Sequence, residues 1–250
     1  MQLKKYFFNL YYAGFYIFTD SYKPLYLLKS IFKILFLSCC FPVMLSAQTS
    51  VKDVIDAYFN SIGGIEMIDQ VNTFYSVSEM QINGEDFTIY NKQQRPNLKS
   101  IIINKNGKFL SKKVFNGETG YEIIGKVKKS YTKSEIYNKI GQISIFPEFY
   151  YLKKAVFLGK KEVMGRICNV LGVGEKRIYY DVLSGLKLKG SNIKLIGGQK
   201  ILQETYYIDY KEVKGIKFPV TYRSIIKNKE IVYNVRSISL NQEVSISDFE

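Results

Sequence analysis

The chain has 250 residues, enough for one large or two small domains, and 46% of them are hydrophobic, so a sizeable core is within reach. Its formal charge is +14, and it contains neither histidine nor tryptophan. The missing histidine excludes Ser-His-Asp and Cys-His catalysis, histidine proton shuttling and most catalytic zinc sites.

Residues 26–50, YLLKSIFKILFLSCCFPVMLSAQTS, place Lys29 and Lys33 ahead of an apolar run from Ile34 to Ser46, then Ala47 before Gln48. This charged, apolar, small-residue order is that of a secretory signal, with cleavage expected between Ala47 and Gln48. The run is shorter than the roughly 20 residues that span a bilayer, and Pro42 interrupts it. Residues 1–47 therefore read as an N-terminal extension and secretory signal peptide, and 48–250 as a single domain. Residues 1–24 are long and aromatic for a segment ahead of a signal, so a start assigned upstream of the true one is expected. The expected location is the periplasm. FLSC approximates the end of a bacterial lipoprotein signal, so lipidation at Cys39 or Cys40 is the alternative and would make the protein an outer-membrane lipoprotein.

Cleavage at Ala47 removes five lysines and Asp20, which lowers the formal charge from +14 to +10. It leaves Cys168 alone, so no internal disulfide can form, and stability must come from the core. The lysines are spread along the chain without an arginine cluster. They suit a soluble surface or contact with anionic lipid headgroups, and nucleic acid is not an expected partner.

From Ser50 a helix is expected, with Val51, Val54, Ile55, Tyr58, Phe59 and Ile62 at helical spacing and Gly63-Gly64 ending it. IEMIDQV gives a second short turn of helix. From Thr73 the pattern changes to period two. Strands are expected at 73–82, 85–92, 98–105, 108–115 and 120–125, separated by Asn-Gly pairs at 83–84, 106–107 and 116–117. SIIINK lacks clean alternation, so both its faces are expected to be covered. Residues 131–154 break the pattern with helical spacing, Pro147 and an aromatic cluster, and read as one or two short helices. Strands then resume at 155–163, 166–173, 176–182, 186–190, 200–213, 216–227 and 230–240. Pro219 lacks a ladder donor, which places the strand after the Lys214-Gly215 turn at an edge or a bulge, near the open seam of the sheet.

Signals for chemistry are weak. GVGEKR begins like a phosphate loop but lacks the third glycine and a following helix, and reads as a hairpin turn. Cys168 reads as a packed thiol with no base to activate it. The carboxylates Glu66 with Asp69 and Glu204 with Asp209 leave a carboxylate-based hydrolase open as a minor alternative. No catalytic residue, metal set or cofactor is expected. What remains is architecture: a curled antiparallel sheet this long has a concave side that its own side chains do not fill, and helices must plug it in whole or in part.

The stretches VKDVIDAYFNSIGGIEMIDQVNTFYSVSEMQING, FNGETGYEI, FLGKKEVMGRICNVLGV, IYYDVLSGLKLK and DYKEVKGIKFPVTYRS occur in this order across 49–250. In order and spacing the chain resembles the LolA/LolB-like superfamily of outer-membrane lipoprotein-sorting proteins. The resemblance implies a mainly β, α+β fold. In it an unclosed antiparallel barrel of about eleven strands wraps around an N-terminal helix and a short mid-chain helical lid. It also implies a monomeric periplasmic protein that holds lipid or lipoprotein acyl chains in a hydrophobic half-barrel and serves in lipoprotein sorting or carriage. The expected cavity wall is Ile101, Ile103, Tyr121, Ile123, Phe218, Val220 and Tyr222, with Phe146, Phe149 and Tyr150 on the lid. An envelope scaffold with a completely filled barrel is the main alternative.

Overall fold

The computed structural model describes residues 49–139, 143–196 and 198–250. Cys39, Cys40, Ala47 and Gln48 lie outside them. The first helix, α1, runs Val51–Ile62. Ser50 caps it: its side chain accepts from the Asp53 N–H while the Asp53 carboxylate accepts from the Ser50 N–H, which satisfies backbone donors at both positions. Val54, Ile55, Tyr58, Phe59 and Ile62 are the buried face that the spacing predicts. Gly63, at φ 135°, ends the helix. A Cβ there would stand 2.4 Å from the carbonyl oxygen of Gly215, so the glycine also lets the helix end touch a strand turn. A short α2, Ile65–Asp69, follows and buries Ile68.

The remainder is one antiparallel sheet. Its strands are β1 Thr73–Ile82, β2 Glu85–Gln94, β3 Leu98–Lys105, β4 Lys108–Phe115, β5 Gly120–Ile124 and β6 Val127–Ser130, then β7 Val156–Val163, β8 Arg166–Val173, β9 Lys176–Asp181, β10 Lys187–Ile196, β11 Gln199–Val213, β12 Ile216–Ile226 and β13 Lys229–Leu240. The spatial order is β6-β5-β4-β3-β2-β1-β13-β12-β11-β10-β9-β8-β7. Two meanders thus join at the middle, where the first strand pairs with the last. The sheet does not close, and its two edges are β6 and β7. Between these two strands in sequence lies the insertion with α3, Lys133–Lys139, and α4, Glu148–Lys154. Among the described residues thirteen strands form, where about eleven are expected. The unforeseen β6, VKKS, is four residues long and exposed throughout, too short and polar to show a period.

The core lies on the concave side, between the sheet and α1, α2 and α4. Ile55, Ile68, Leu171 and Ile216 are completely or almost completely buried there. Rings tie the layers together, with Phe59 against Phe149 at 4.9 Å, Phe146 against Phe218 at 6.0 Å and Tyr58 edge-on to Tyr180 at 5.2 Å. The convex side is covered in part by a 3-10 turn, Ile246–Phe249, which buries Phe249 and joins Asp248 to Lys92 at 2.8 Å. Ile101 of β3 faces inward while Ser100 and Ile102 face the C-terminal turn, but only Ser100 is buried and the isoleucines are half-buried, so the strand is partly covered on each face.

Pro219 stands at a bulge and not at an edge. β12 lies between β11 and β13, and the register with β11 is irregular where Tyr210 meets Pro219. Pairing with β13 begins only at Thr221, so no ladder bond is lost at the proline. The open seam, between β6 and β7, is far from this strand; the expectation that β12 borders it is incorrect. Pro219 marks an irregularity in a central strand instead.

Candidate functional site

A cavity of about 240 Å³ remains between the inner face of the sheet and the helices. Its apolar side is built by Phe74 of β1, Phe218 of β12, Val235 and Ile238 of β13, and Ile145 and Phe146 of the insertion. Cross-strand pairing sets these side by side: Phe74 opposes Leu240, Ser76 opposes Ile238, and Ser78 opposes Val235. The space exists because β1 presents Phe74, Ser76 and Ser78 on its inner face. The two serines are buried yet small, so they leave space beneath the insertion that larger side chains would fill. On β2, Asn91 and Gln93 extend this polar strip, and the Gln93 Oε1 is enclosed without a hydrogen-bond partner among the described residues.

One end of the cavity carries a buried ion pair. Lys187 at the start of β10 meets Glu148 at the start of α4, Nζ to Oε1 2.5 Å. Tyr180 Oη donates to the same carboxylate oxygen at 3.2 Å. The ammonium lies 5.0 Å from the Tyr58 ring centroid and 5.5 Å from that of Tyr207. Burial works against the Lys187 charge, but the Glu148 carboxylate and the surrounding tyrosines outweigh it and hold its pKa well above the ordinary lysine value. Burial also pushes the phenols of Tyr58 and Tyr180 far up. The pair fastens the insertion to the sheet beside the cavity.

At the other side, Tyr222 lines the cavity and stacks on Tyr233 at 4.8 Å and 11°. Burial pushes the Tyr222 phenol up to about 12, opposed by a hydrogen bond with Ser78. Past this stack the inner face continues through Met80, opposite Tyr233, and Phe87, opposite Met80, all half-buried. These three side chains do not line the cavity; they form a half-buried row on the same face of the sheet beyond it.

Of the expected wall residues, Phe146, Phe218 and Tyr222 line the cavity. Phe149 and Tyr150 of α4 pack against the core without lining it. Val220 is skipped in the β11–β12 register and lies outside the lining. Ile101 lines a separate groove of about 200 Å³ with Phe115, Tyr131 and Ile143, and Ile103 sits on the same inner face opposite Ile89. Tyr121 and Ile123 are not wall residues. They pair with Val114 and Lys112, which pair in turn with Ser100 and Ile102, and this row is on the convex face. The reason is Gly120: on the inner side a Cβ at this position would lie 2.4 Å from the Tyr131 ring, so β5 turns its glycine inward and its tyrosine outward. There the Tyr121 hydroxyl donates to the Glu250 carbonyl at 2.6 Å.

The carboxylate candidates are dispersed. Glu66, Asp69 and Asp209 are exposed, and Glu204 is paired with Lys189. Cys168 is fully buried. Among the described residues no cluster of histidine, cysteine, aspartate and glutamate could hold a metal ion. The sequence reading missed Ser76, Ser78, Asn91, Gln93, Lys187 and Glu148. The serines carried a signal, since they share the phase of Phe74; the ion pair carried none, because its members are far apart in the chain.

No family model and no curated protein matches the chain. Solved structures do match its shape. A LolA superfamily protein from Nitrosomonas europaea aligns with a TM-score of 0.55 at 9% identity, over 81% of this chain and 98% of that one. The chain has a LolA-like fold. A DUF1329 family protein from Desulfovibrio piger aligns with a TM-score of 0.53 at 12% identity, again over 81% and 98%. In this LolA-like sheet the cavity lies between the concave face and the helical insertion, as described above.

Proposed function

We propose that the protein is an exported envelope protein that binds a lipid or lipoprotein acyl chain in the cavity between the concave sheet and the insertion. The observation that carries this reading is the cavity itself: the helices leave about 240 Å³ empty, walled by Phe74, Phe146, Phe218 and Ile238. That is less than the roughly 300–1,000 Å³ of common small-molecule pockets, which suits a single slender chain. A chain longer than the cavity would follow the half-buried row past Tyr222. Burial supplies about 0.8 kcal/mol per methylene, so ten methylenes bind without any polar contact. The LolA-like fold and the signal-like stretch ending at Ala47 support a place in the envelope and a role in lipid or lipoprotein carriage.

The test is native mass spectrometry and organic extraction of the protein purified from the cell envelope. The expected result is an acylated molecule bound in about a one-to-one ratio, released by solvent. Protein that arrives empty, and takes up no lipid from vesicles, would overturn the reading.

A further inference from the structure

The cavity is polar along its floor and apolar along its walls. Ser76 and Ser78 of β1 and Asn91 and Gln93 of β2 form the floor, with Ser76 paired to Asn91 and Phe74 to Gln93. Ser76 is 5% exposed, Ser78 4% and Gln93 8%, so all three are withdrawn from water. A floor meant only for an alkyl chain would carry valine or isoleucine, which suit a strand face and leave no polar atom to satisfy.

Polar side chains that serve only the fold satisfy one another. Part of the floor does this. Gln93 Nε2 donates to Asn91 Oδ1 at 3.4 Å, and Ser78 is hydrogen-bonded with Tyr222. Gln93 Oε1 is not accounted for in this way: it is enclosed and has no hydrogen-bond partner among the described residues. The nearby ammonium of Lys187 is engaged by Glu148. A plain alkyl chain laid over the floor would keep this acceptor from water and offer it nothing, whereas a chain bearing an O–H or N–H would supply the missing donor.

We infer that the cavity selects an acyl chain that carries a hydrogen-bond donor, either the hydroxyl of a hydroxylated chain or the N–H of an acyl amide, and that this group donates to Gln93 Oε1. The inference rests on the acyl-chain reading given above and narrows it to one chemical class. In the complex the Gln93 amide turns toward the chain about its terminal torsion, which is broad and soft in glutamine. Phe74, Phe146 and Phe218 hold the methylenes. A water molecule held at Oε1 is the plain alternative; it would satisfy the acceptor under any chain and give no selection.

The test compares three uncharged ligands of one chain length, so that the Lys187 charge does not sort them. Methyl tetradecanoate accepts hydrogen bonds and donates none. Methyl 3-hydroxytetradecanoate adds a hydroxyl, and N-methyltetradecanamide puts an N–H in place of the ester oxygen. Each is titrated against N-phenyl-1-naphthylamine, a fluorescent probe, bound to the protein. The expected result is that one of the two donor ligands binds about tenfold tighter than the plain ester, and which one does so tells hydroxyl from amide. Gln93→Met, apolar and of similar length, abolishes this advantage and leaves the affinity for the plain ester within about twofold. A glutamine with a merely structural role would instead weaken all three ligands alike in the variant. The comparison within the native protein decides the matter even if the variant folds poorly. Equal affinity of the native protein for all three ligands overturns the inference and leaves the acyl-chain reading standing. Displacement of the probe by none of them overturns both. A donor advantage that persists in Gln93→Met overturns the assignment to Gln93.

Discussion

Lys187 and Glu148 show how a buried charge can be tolerated beside an apolar cavity. Glu148 is fully buried and depends on Lys187 and the Tyr180 hydroxyl, while Lys187, largely buried, depends on Glu148. Lys187→Met alone leaves a buried carboxylate without its partner and is expected to cost about 3–5 kcal/mol in urea denaturation, whereas Lys187→Met with Glu148→Leu recovers most of it. A single variant as stable as the double would contradict this account. The pH dependence has a fixed sign. Lys187 and the phenols of Tyr58, Tyr151, Tyr180 and Tyr210 all have folded pKa values raised above their unfolded ones. The unfolded chain therefore loses protons first, above about pH 10. Stability is fully present below that pH and falls as pH rises beyond it, by about 1.4 kcal/mol per pH unit for each such group. Stability that stays level between about pH 9 and about pH 11.5 would contradict the burial of these groups.

At the scale of elements, much was legible because the signals are local. The capping box at Ser50, the helical spacing through Ile62 and the Asn-Gly turns at 83–84 and 106–107 each fix a piece of chain by its own chemistry. Alternation in β5 fixed a face but not its side. Which side points inward depends on Tyr131 lying over Gly120, a contact that no strand pattern contains. The end of α1 gives a sharp test of close approach against backbone preference. Gly63 and Gly64 both have positive φ, but only at Gly63 would a Cβ meet another atom, the Gly215 carbonyl oxygen at 2.4 Å. Gly63→Ala is expected to cost well over 1 kcal/mol and more than Gly64→Ala. Equal losses in thermal or urea unfolding would show that the helix end does not rest on the β11–β12 turn.

Across the whole molecule, the decisive contact is the pairing of β1 with β13, which joins the two ends of the domain at the centre of the sheet. Strand order of this kind is set by long-range pairing, so the sequence reading could supply the strands but placed the open seam beside the wrong one. The pairing also brings Ser76 and Ser78 opposite Ile238 and Val235, and so makes the cavity. Phe218 and Tyr222 could be expected there from their apolar phase, Phe146 from the aromatic cluster of the insertion, and Ser76 and Ser78 from sharing the phase of Phe74; Asn91 and Gln93 could not, because polar residues on a strand ordinarily read as facing water. The central claim is that this empty space receives an acyl chain. Val235 is half-buried in the cavity wall, so Val235→Trp should occupy the space without disturbing the deeper core. The direct measurement is a titration of both proteins with a fluorescent fatty acid, alongside their melting temperatures. The account predicts saturable binding by the native chain and at least about tenfold weaker binding by the variant, the loss of two or so buried methylenes, at an unchanged melting temperature. Equal affinity in the two proteins would place the ligand elsewhere and contradict it.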